Sequence, residues 1–239
     1  MISTFNEYHL GDQLIHLNWL RKVATANGER HFSHHCRPEH LEKIRPLVCD
    51  VPNISLSGIE NRPAQAINCW INANGSWDVE PFRRNWVNFH IVHFRRLARQ
   101  MGVESPIASR EDLLFDYPAL LEPNEYCRPF DILLINSAPR SGQFPGFSSG
   151  KFVELVRALV ANGLSVITSE PTGLCASAVE SNISITGIGS MSRHASVIIS
   201  VNTGPMWTTF NVHNRSAYRI IYCNYYSYSL VDNQIGRAH

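Results

Sequence analysis

The sequence predicts an α/β protein built from two small units, each a parallel sheet wound with helices and facing the other across a cleft. Short apolar runs that are typical of buried strands alternate with segments of helical periodicity. A proline-rich stretch from Glu104 to Pro129 interrupts this alternation, which restarts after it. A length of 239 residues suits one large domain or two small ones. We expect domains at 1–115 and 116–239, and the alternative is one larger mixed sheet.

The first half carries the first strand–helix series. Apolar residues at helical spacing predict a helix from Leu14 that ends at Asn27-Gly28. Pro38 is typical of a helix start, and a wide apolar stripe predicts a long amphipathic helix before the linker. The expected strands are 2–6, 31–36, 54–59 and 66–71, and the expected helices are 14–26, 39–45 and 83–101.

The second half repeats the pattern more clearly. The run Asp131 to Asn136 is continuously apolar in its centre, as in a buried parallel strand. A polar loop follows up to Gly150, and a helix is expected over 151–161 because Asn162-Gly163 then supplies a stop signal. The further expected strands are 164–168, 183–186, 197–201 and 218–223.

Charge and composition exclude several classes of protein. The formal net charge is +1, whereas a protein that contacts many nucleic-acid phosphates is normally far more basic. No apolar run is long enough to span a membrane, and the N-terminus lacks the pattern of a signal peptide. The six cysteines form no C-x-x-C pair, which favours reduced thiols. We expect a cytoplasmic protein with no nucleic-acid partner, although contact with a membrane surface is compatible with this pattern.

Ligands of open α/β sheets bind where strands run into helix N-termini, and Asp12 lies at the first such junction. A carboxylate there could accept a proton from a substrate hydroxyl. The alternative is that Gly11 makes the turn and Asp12 only caps the helix.

Two later junctions could bind an anion. The loop that holds Ser137, Arg140 and Ser141 has accessible backbone N–H groups and a guanidinium, but no Walker pattern. Glu170 follows the next strand and could reach a sugar hydroxyl. The segment Thr203-Gly204-Pro205-Met206 joins a buried strand to a helix start, where backbone N–H groups can bind phosphate. An ordinary solvated loop and a ligand-free turn remain the alternatives.

The early Gly11-Asp12 and the late Asn202-Thr203-Gly204-Pro205-Met206 together resemble the heptosyltransferase-type GT-B glycosyltransferases. That family has a Gly-Asp near its start and an Asp-Thr-Gly-Pro-type motif in its second domain. The segment 185–193 is similar to the short helix that precedes this motif. The resemblance covers about the first 25 residues and most of the second half of the chain.

The resemblance implies two Rossmann-like domains and an inverting, metal-independent transfer from a nucleotide-sugar to an acceptor hydroxyl. The family's general base would fall on Asp12. Its donor-phosphate contacts would fall on the turn Thr203-Gly204-Pro205-Met206 and on the loop that holds Ser137, Arg140 and Ser141. Glu170, which follows the strand between them, is the further donor-side candidate that its position alone indicates. The acceptor would be a sugar or a lipid-linked molecule, and no cofactor is expected besides the nucleotide-sugar co-substrate.

Two positions depart from the family pattern. Asn202 replaces the usual Asp, and Trp207 stands where a His is common. A non-catalytic module that binds nucleotides or sugar-nucleotides is therefore the alternative function, and an epimerase-type nucleotide-sugar enzyme is a third.

The histidines offer weaker signals. A metal-like cluster is formed in the sequence by His31, His34, His35 and Cys36. Neighbours in a strand point to opposite faces and no second ligand group has a recognisable spacing, so no metal site is expected there. His90 and His93 have the i, i+3 spacing of possible metal ligands on the long helix, and we expect them on a partly exposed face of it.

Overall fold

The computed structural model describes residues 1–70, 89–109, 111–140 and 146–222. Its described residues form two compact units, which meet in the chain between Tyr117 and Pro118. Each unit has one parallel four-stranded sheet flanked by helices. The predicted α/β class with two sheets is therefore confirmed.

The first unit contains a sheet with strand order β3-β2-β1-β4, in which every pair is parallel. Thr4 on the central strand is in register with His34 on one side and Ile67 on the other. The elements are β1 (Ile2–Asn6), α1 (Leu10–Ala26), β2 (Phe32–Cys36), α2 (Pro38–Ile44), β3 (Ile54–Gly58), β4 (Ile67–Asn68) and α3 (Phe89–Met101).

Two helices of the first unit pack through aromatic rings. Trp19 of α1 is fully buried and stacks on Phe94 of α3, with ring centroids 5.0 Å apart and planes at 5°. Large buried aromatic rings contribute strongly to core stability. This pair fixes the inner face of α1, whose first turn carries Asp12.

The second unit has strand order β6-β5-β7-β8, again with all pairs parallel. Its core forms between β5, β6, β7 and α4, with Leu134, Val156 and Val201 fully buried. The elements are β5 (Phe130–Ile135), α4 (Ser149–Ala161), β6 (Val166–Thr168), α5 (Ile185–Met191), β7 (Ala195–Val201), α6 (Gly204–Thr208) and β8 (Tyr218–Tyr222).

The strand expected over 183–186 is wrong, because α5 begins there. The Ser184 side chain caps this helix by accepting a hydrogen bond from the backbone N–H of Gly187 (3.1 Å). Such a cap stabilises a helix by about 1 kcal/mol, which favours helix over a short β-branched strand. The region therefore has the short helix that the family resemblance implied.

The predicted linker is irregular, as expected. Between α3 and β5 the described residues hold only two 3-10 turns, Glu111–Leu113 and Pro118–Leu120. In the described part of the chain, no helix is both long and apolar enough to cross a membrane. The five cysteines that lie within the described ranges are all free thiols.

Candidate active site

Asp12 lies in the first turn of α1, directly after the carboxyl end of β1. The connection is a tight turn, because the Asn6 side chain accepts a hydrogen bond from the backbone N–H of Tyr8 (2.9 Å). The helix begins at Leu10, with His9 as its N-cap residue. The alternative in which Asp12 caps the helix is therefore wrong, and its half-buried carboxylate has no capping role.

The environment of Asp12 shifts its protonation. Burial raises the pKa of this carboxyl from 3.8 to about 7, and a hydrogen bond from the Trp70 side chain opposes the rise. Burial has this effect because it disfavours the charged form. The Trp70 ring in turn stacks on Tyr8, with centroids 3.9 Å apart. A carboxyl with a pKa near neutrality is suited to act as a general base.

A cavity of about 10 Å³ lies beside Asp12. It has about the volume of one water molecule. Its lining is rich in ionisable side chains, which are Asp12, His16, Cys69, His90 and His93.

The histidines of this region are neutral at pH 7. Burial lowers the pKa of His34 and of His90 to about 3, and that of His93 to about 4. Burial also lowers the pKa of His16 well below its usual value, and nearby His34 and His93 add to the shift. His90 and His93 are each 4% exposed, so the partly exposed face expected for them is wrong.

The donor-side residues lie at the carboxyl ends of three neighbouring strands of the second sheet. Ser137 follows β5 and its hydroxyl is 3.0 Å from that of Ser169. The Asn136 side chain accepts from the backbone N–H of Glu170 (2.9 Å) and donates to its carbonyl (3.2 Å). The structure therefore joins the Ser137 and Glu170 ends through one buried hydrogen-bond network.

The segment Thr203-Gly204-Pro205-Met206 follows β7, which lies beside β5 in the sheet. Thr203 is the N-cap residue of α6, and its hydroxyl donates to the carbonyl of Val201 (3.3 Å). Thr203, Gly204 and Pro205 are half-buried, whereas Met206 is fully buried and packs in the core. The Met206 side chain is therefore not available to a ligand, and only the backbone of Met206 belongs to the turn.

Arg140 is an exposed side chain in the loop after β5. Ser141, its neighbour in the predicted donor loop, lies outside the described residues. Trp207 is 7% exposed and packs beside Phe210, with ring centroids 5.9 Å apart. The position where the family commonly has a His therefore holds an aromatic residue of the core.

Sequence reasoning missed Trp70, Tyr8, His16 and Cys69. The aromatic pair could be found only from the fold, because 62 residues separate its members. His16 gave a usable signal, since it lies four residues after Asp12 and shares its helix face.

The comparisons rest on structure alone. No protein-family model matches the chain, and no curated protein matches it by sequence. Solved structures do match. Three of these structures are 13–15% identical to this chain in sequence.

The first is a dodecameric iron-containing heptosyltransferase, TibC, in complex with ADP-D-beta-D-heptose; TibC comes from enterotoxigenic E. coli. It is 15% identical with a TM-score of 0.57, and the match covers 98% of this chain. This chain spans only 59% of the length of TibC.

The other two are nearer in length. A family 9 glycosyl transferase from Veillonella parvula is 14% identical with a TM-score of 0.56, covering 100% of this chain and 89% of the other. The E. coli heptosyltransferase WaaC with ADP-2-deoxy-2-fluoro heptose is 13% identical with a TM-score of 0.55, covering 92% and 87%. This chain therefore has the fold of the heptosyltransferase-type glycosyltransferases, the family that its two motifs resemble.

Proposed function

We propose that this protein is an inverting glycosyltransferase that moves a sugar from a nucleotide-sugar to an acceptor hydroxyl, with Asp12 as the general base. The observation that carries the proposal is the position of Asp12, a half-buried carboxyl in the first turn of the helix after β1, where it lines a cavity and accepts a hydrogen bond from Trp70. Burial in this position raises its pKa to about 7. A base of that pKa is half deprotonated at neutral pH and can still bind a proton firmly. The heptosyltransferase-type fold supports the same reaction class.

In the proposed reaction, the carboxylate of Asp12 takes the proton of the acceptor hydroxyl. The acceptor oxygen forms a bond to the anomeric carbon as the bond from that carbon to the diphosphate breaks. A single displacement of this kind inverts the anomeric configuration. The leaving diphosphate gains negative charge, which the Arg140 guanidinium and backbone N–H groups after β5 and β7 would stabilise without a metal ion.

The donor would bind to the second unit. This assignment is supported by the position of three predicted donor-side segments, Ser137, Glu170 and Thr203-Gly204, which follow three adjacent strands. Glu170 is half-buried and its backbone is held by Asn136, so its carboxylate could accept hydrogen bonds from a ribose or sugar hydroxyl. The α6 helix has only five residues, so we assign the phosphate contacts to the N–H groups of the turn and to Arg140.

We propose a nucleoside diphosphate sugar as the donor, and ADP-heptose is the first to test. Two of the structural neighbours were solved with ADP-sugars, TibC with ADP-D-beta-D-heptose and WaaC with ADP-2-deoxy-2-fluoro heptose. The acceptor would be a sugar or a lipid-linked sugar.

The alternative function is a binding module without activity, which the buried Trp207 and the replacement at Asn202 favour. Turnover of a nucleotide-sugar distinguishes the enzyme from this module. We expect the wild-type protein to release nucleoside diphosphate from ADP-heptose or a related donor, measured by chromatography, with sugar acceptors present. A thermal shift with ADP but no release across a panel of donors and acceptors would favour the binding module. A change in the donor that needs no acceptor would instead indicate an epimerase-type enzyme.

Arg140→Ala is expected to weaken the binding of ADP about 10- to 100-fold, because one charge-assisted hydrogen bond to phosphate is lost. Isothermal titration of the chain with ADP measures the change. Arg157→Ala, which removes an exposed guanidinium from the middle of α4, is the matched control and should leave the affinity unchanged. Equal affinities for wild type and Arg140→Ala would remove Arg140 from the donor site.

A further inference from the structure

Three side chains that can bind metal, two histidines and one cysteine, converge in the first unit. One ligand atom from each of His16, His34 and Cys69 lies within 4.8 Å of the other two. All three residues are buried. Imidazole nitrogen and thiolate sulfur are the ligands that zinc-class cations prefer.

The fold brings the three residues together from separate elements. His34 is on β2, and Cys69 directly follows β4; these strands lie on the two sides of β1. His16 is on α1, the helix that follows β1. The Thr4 hydroxyl on β1 lies between the two histidines, 3.3 Å from Nε2 of His16 and 3.0 Å from Nδ1 of His34.

A hydrogen-bond chain assigns the protons of this cluster. Gln13 donates through Nε2 to the carbonyl of Asn6 (2.6 Å), so its Oε1 accepts from Nε2 of His34 (2.7 Å). Nδ1 of His34 therefore carries a lone pair, and the Thr4 hydroxyl donates to it at 3.0 Å, a shorter contact than the 3.3 Å to the carbonyl of Ser33. The oxygen of Thr4 then accepts from Nε2 of His16, which leaves Nδ1 of His16 as a bare lone pair.

That lone pair is the independent sign of a missing ligand. Among the described residues, Nδ1 of His16 has no hydrogen-bond partner, although the side chain is only 2% exposed. A buried acceptor without a partner destabilises the folded state, because it has lost its hydrogen bond to water. A cation that binds the His16 ring would remove this cost.

Space for a further ligand adjoins the cluster. His16 and Cys69 both line the cavity of about 10 Å³. That volume accommodates one water molecule. Three protein ligands and one water complete the tetrahedral coordination that zinc adopts.

We propose that His16, His34 and Cys69 bind one divalent zinc-class cation, with a water molecule as the fourth ligand. On binding, the thiol of Cys69 releases its proton to solvent, and the coordinating lone pair of His34 exchanges the Thr4 hydroxyl for the cation. Gln13 then acts as the outer partner that orients the His34 ring. The cation cross-links α1, β2 and the end of β4, and it takes no part in breaking the donor bond.

Binding of Zn²⁺ and Co²⁺ to metal-stripped full-length protein tests the site. We expect about one Zn²⁺ per chain by native mass spectrometry and elemental analysis. Co²⁺ should give a thiolate-to-cobalt charge-transfer band in the near ultraviolet. Cys69→Ser and His34→Gln each remove a direct ligand, so their affinity should fall by at least the 10- to 100-fold that loss of an outer partner costs.

Two matched controls separate the site from general effects on folding. His35→Gln changes the neighbouring histidine, which faces Ser33 and Ser57 instead, and Cys175→Ser changes a half-buried thiol of the second unit. Both should retain the affinity and the band. X-ray absorption of the Zn²⁺-loaded wild type should show one sulfur and two nitrogen ligands, which decides the question even where a variant does not fold. Absence of bound Zn²⁺, or a zinc shell without sulfur, would overturn the proposal, and so would a band that persists in Cys69→Ser.

Discussion

Asp12→Asn is expected to lower kcat for sugar transfer by roughly 10²–10⁴-fold, because the amide cannot accept the proton of the acceptor hydroxyl. The donor lies on the second unit in our proposal, so its Kd should change little. Kinetics at saturating donor measure kcat, and titration with ADP measures binding. Glu29→Gln, an exposed carboxyl change in the same unit, is the control and should leave both values unaltered.

The dependence of kcat/KM on pH also tests the role of Asp12 as base. The base acts when it is deprotonated, so kcat/KM should rise with pH and level off above about 7, the pKa that burial gives Asp12. Trp70→Phe removes a hydrogen bond that lowers this pKa, so the acid limb should move to higher pH. The profiles are measured on chelator-treated protein, because a cation beside Asp12 would lower its pKa. The role of Asp12 as base would be contradicted if the Asp12→Asn variant had a normal kcat. It would also be contradicted if the acid limb of the pH profile stayed at the same pH in Trp70→Phe.

Strands and their order of occurrence could be predicted because buried parallel strands have a local signal. Ile2–Asn6 was predicted to the residue, and the other strands that form were found within a few residues. The strand expected over 183–186 is wrong because three of its four residues are apolar or β-branched and satisfy the strand pattern, while the Ser184 side chain caps a helix there. The α3 helix was found, but the exposure expected for its histidines was wrong. His90 and His93, expected on a partly exposed face, are both buried.

Some residues of the candidate site could be predicted from the sequence and others could not. Asp12 could be found because a Gly-Asp at a strand end is visible in the chain, and Thr203-Gly204 was visible for the same reason. The residues around Asp12 could not be found, because they come from different strands. Trp70 and Cys69 follow a strand of only two residues, and the register of β4 against β1 decides where they lie. That register depends on tertiary packing and leaves no short-range pattern.

Asp12→Asn is also expected to stabilise the protein at neutral and alkaline pH. The pKa of Asp12 is raised from 3.8 to about 7 in the folded protein, so between these values the folded state holds a proton that the unfolded state has lost. The wild type therefore loses stability as pH rises through this window, since its carboxylate must be desolvated. Asn has no charge to desolvate, and the loss should disappear in the variant.

The size and the pH dependence of this gain make it testable. Full linkage over three pH units gives an upper bound of about 4 kcal/mol, and water at the half-buried carboxylate reduces it to roughly 2 kcal/mol. Thermal melts of chelator-treated protein should show equal Tm values for wild type and variant near pH 4. Above about pH 7 the variant should melt several degrees higher.

Asp50→Asn is the control of opposite sign. A hydrogen bond from Arg21 lowers the pKa of Asp50, so this carboxylate stabilises the fold above its unfolded pKa and loses that effect as pH falls. Asp50→Asn should therefore melt lower than the wild type at neutral pH and approach it in acid. If Asp12→Asn showed the same sign as Asp50→Asn, the carboxylate of Asp12 would be a stabilising partner and not a base held at a cost to stability. The combination expected here, an inactive variant that is more stable, is the mark of a residue kept for chemistry.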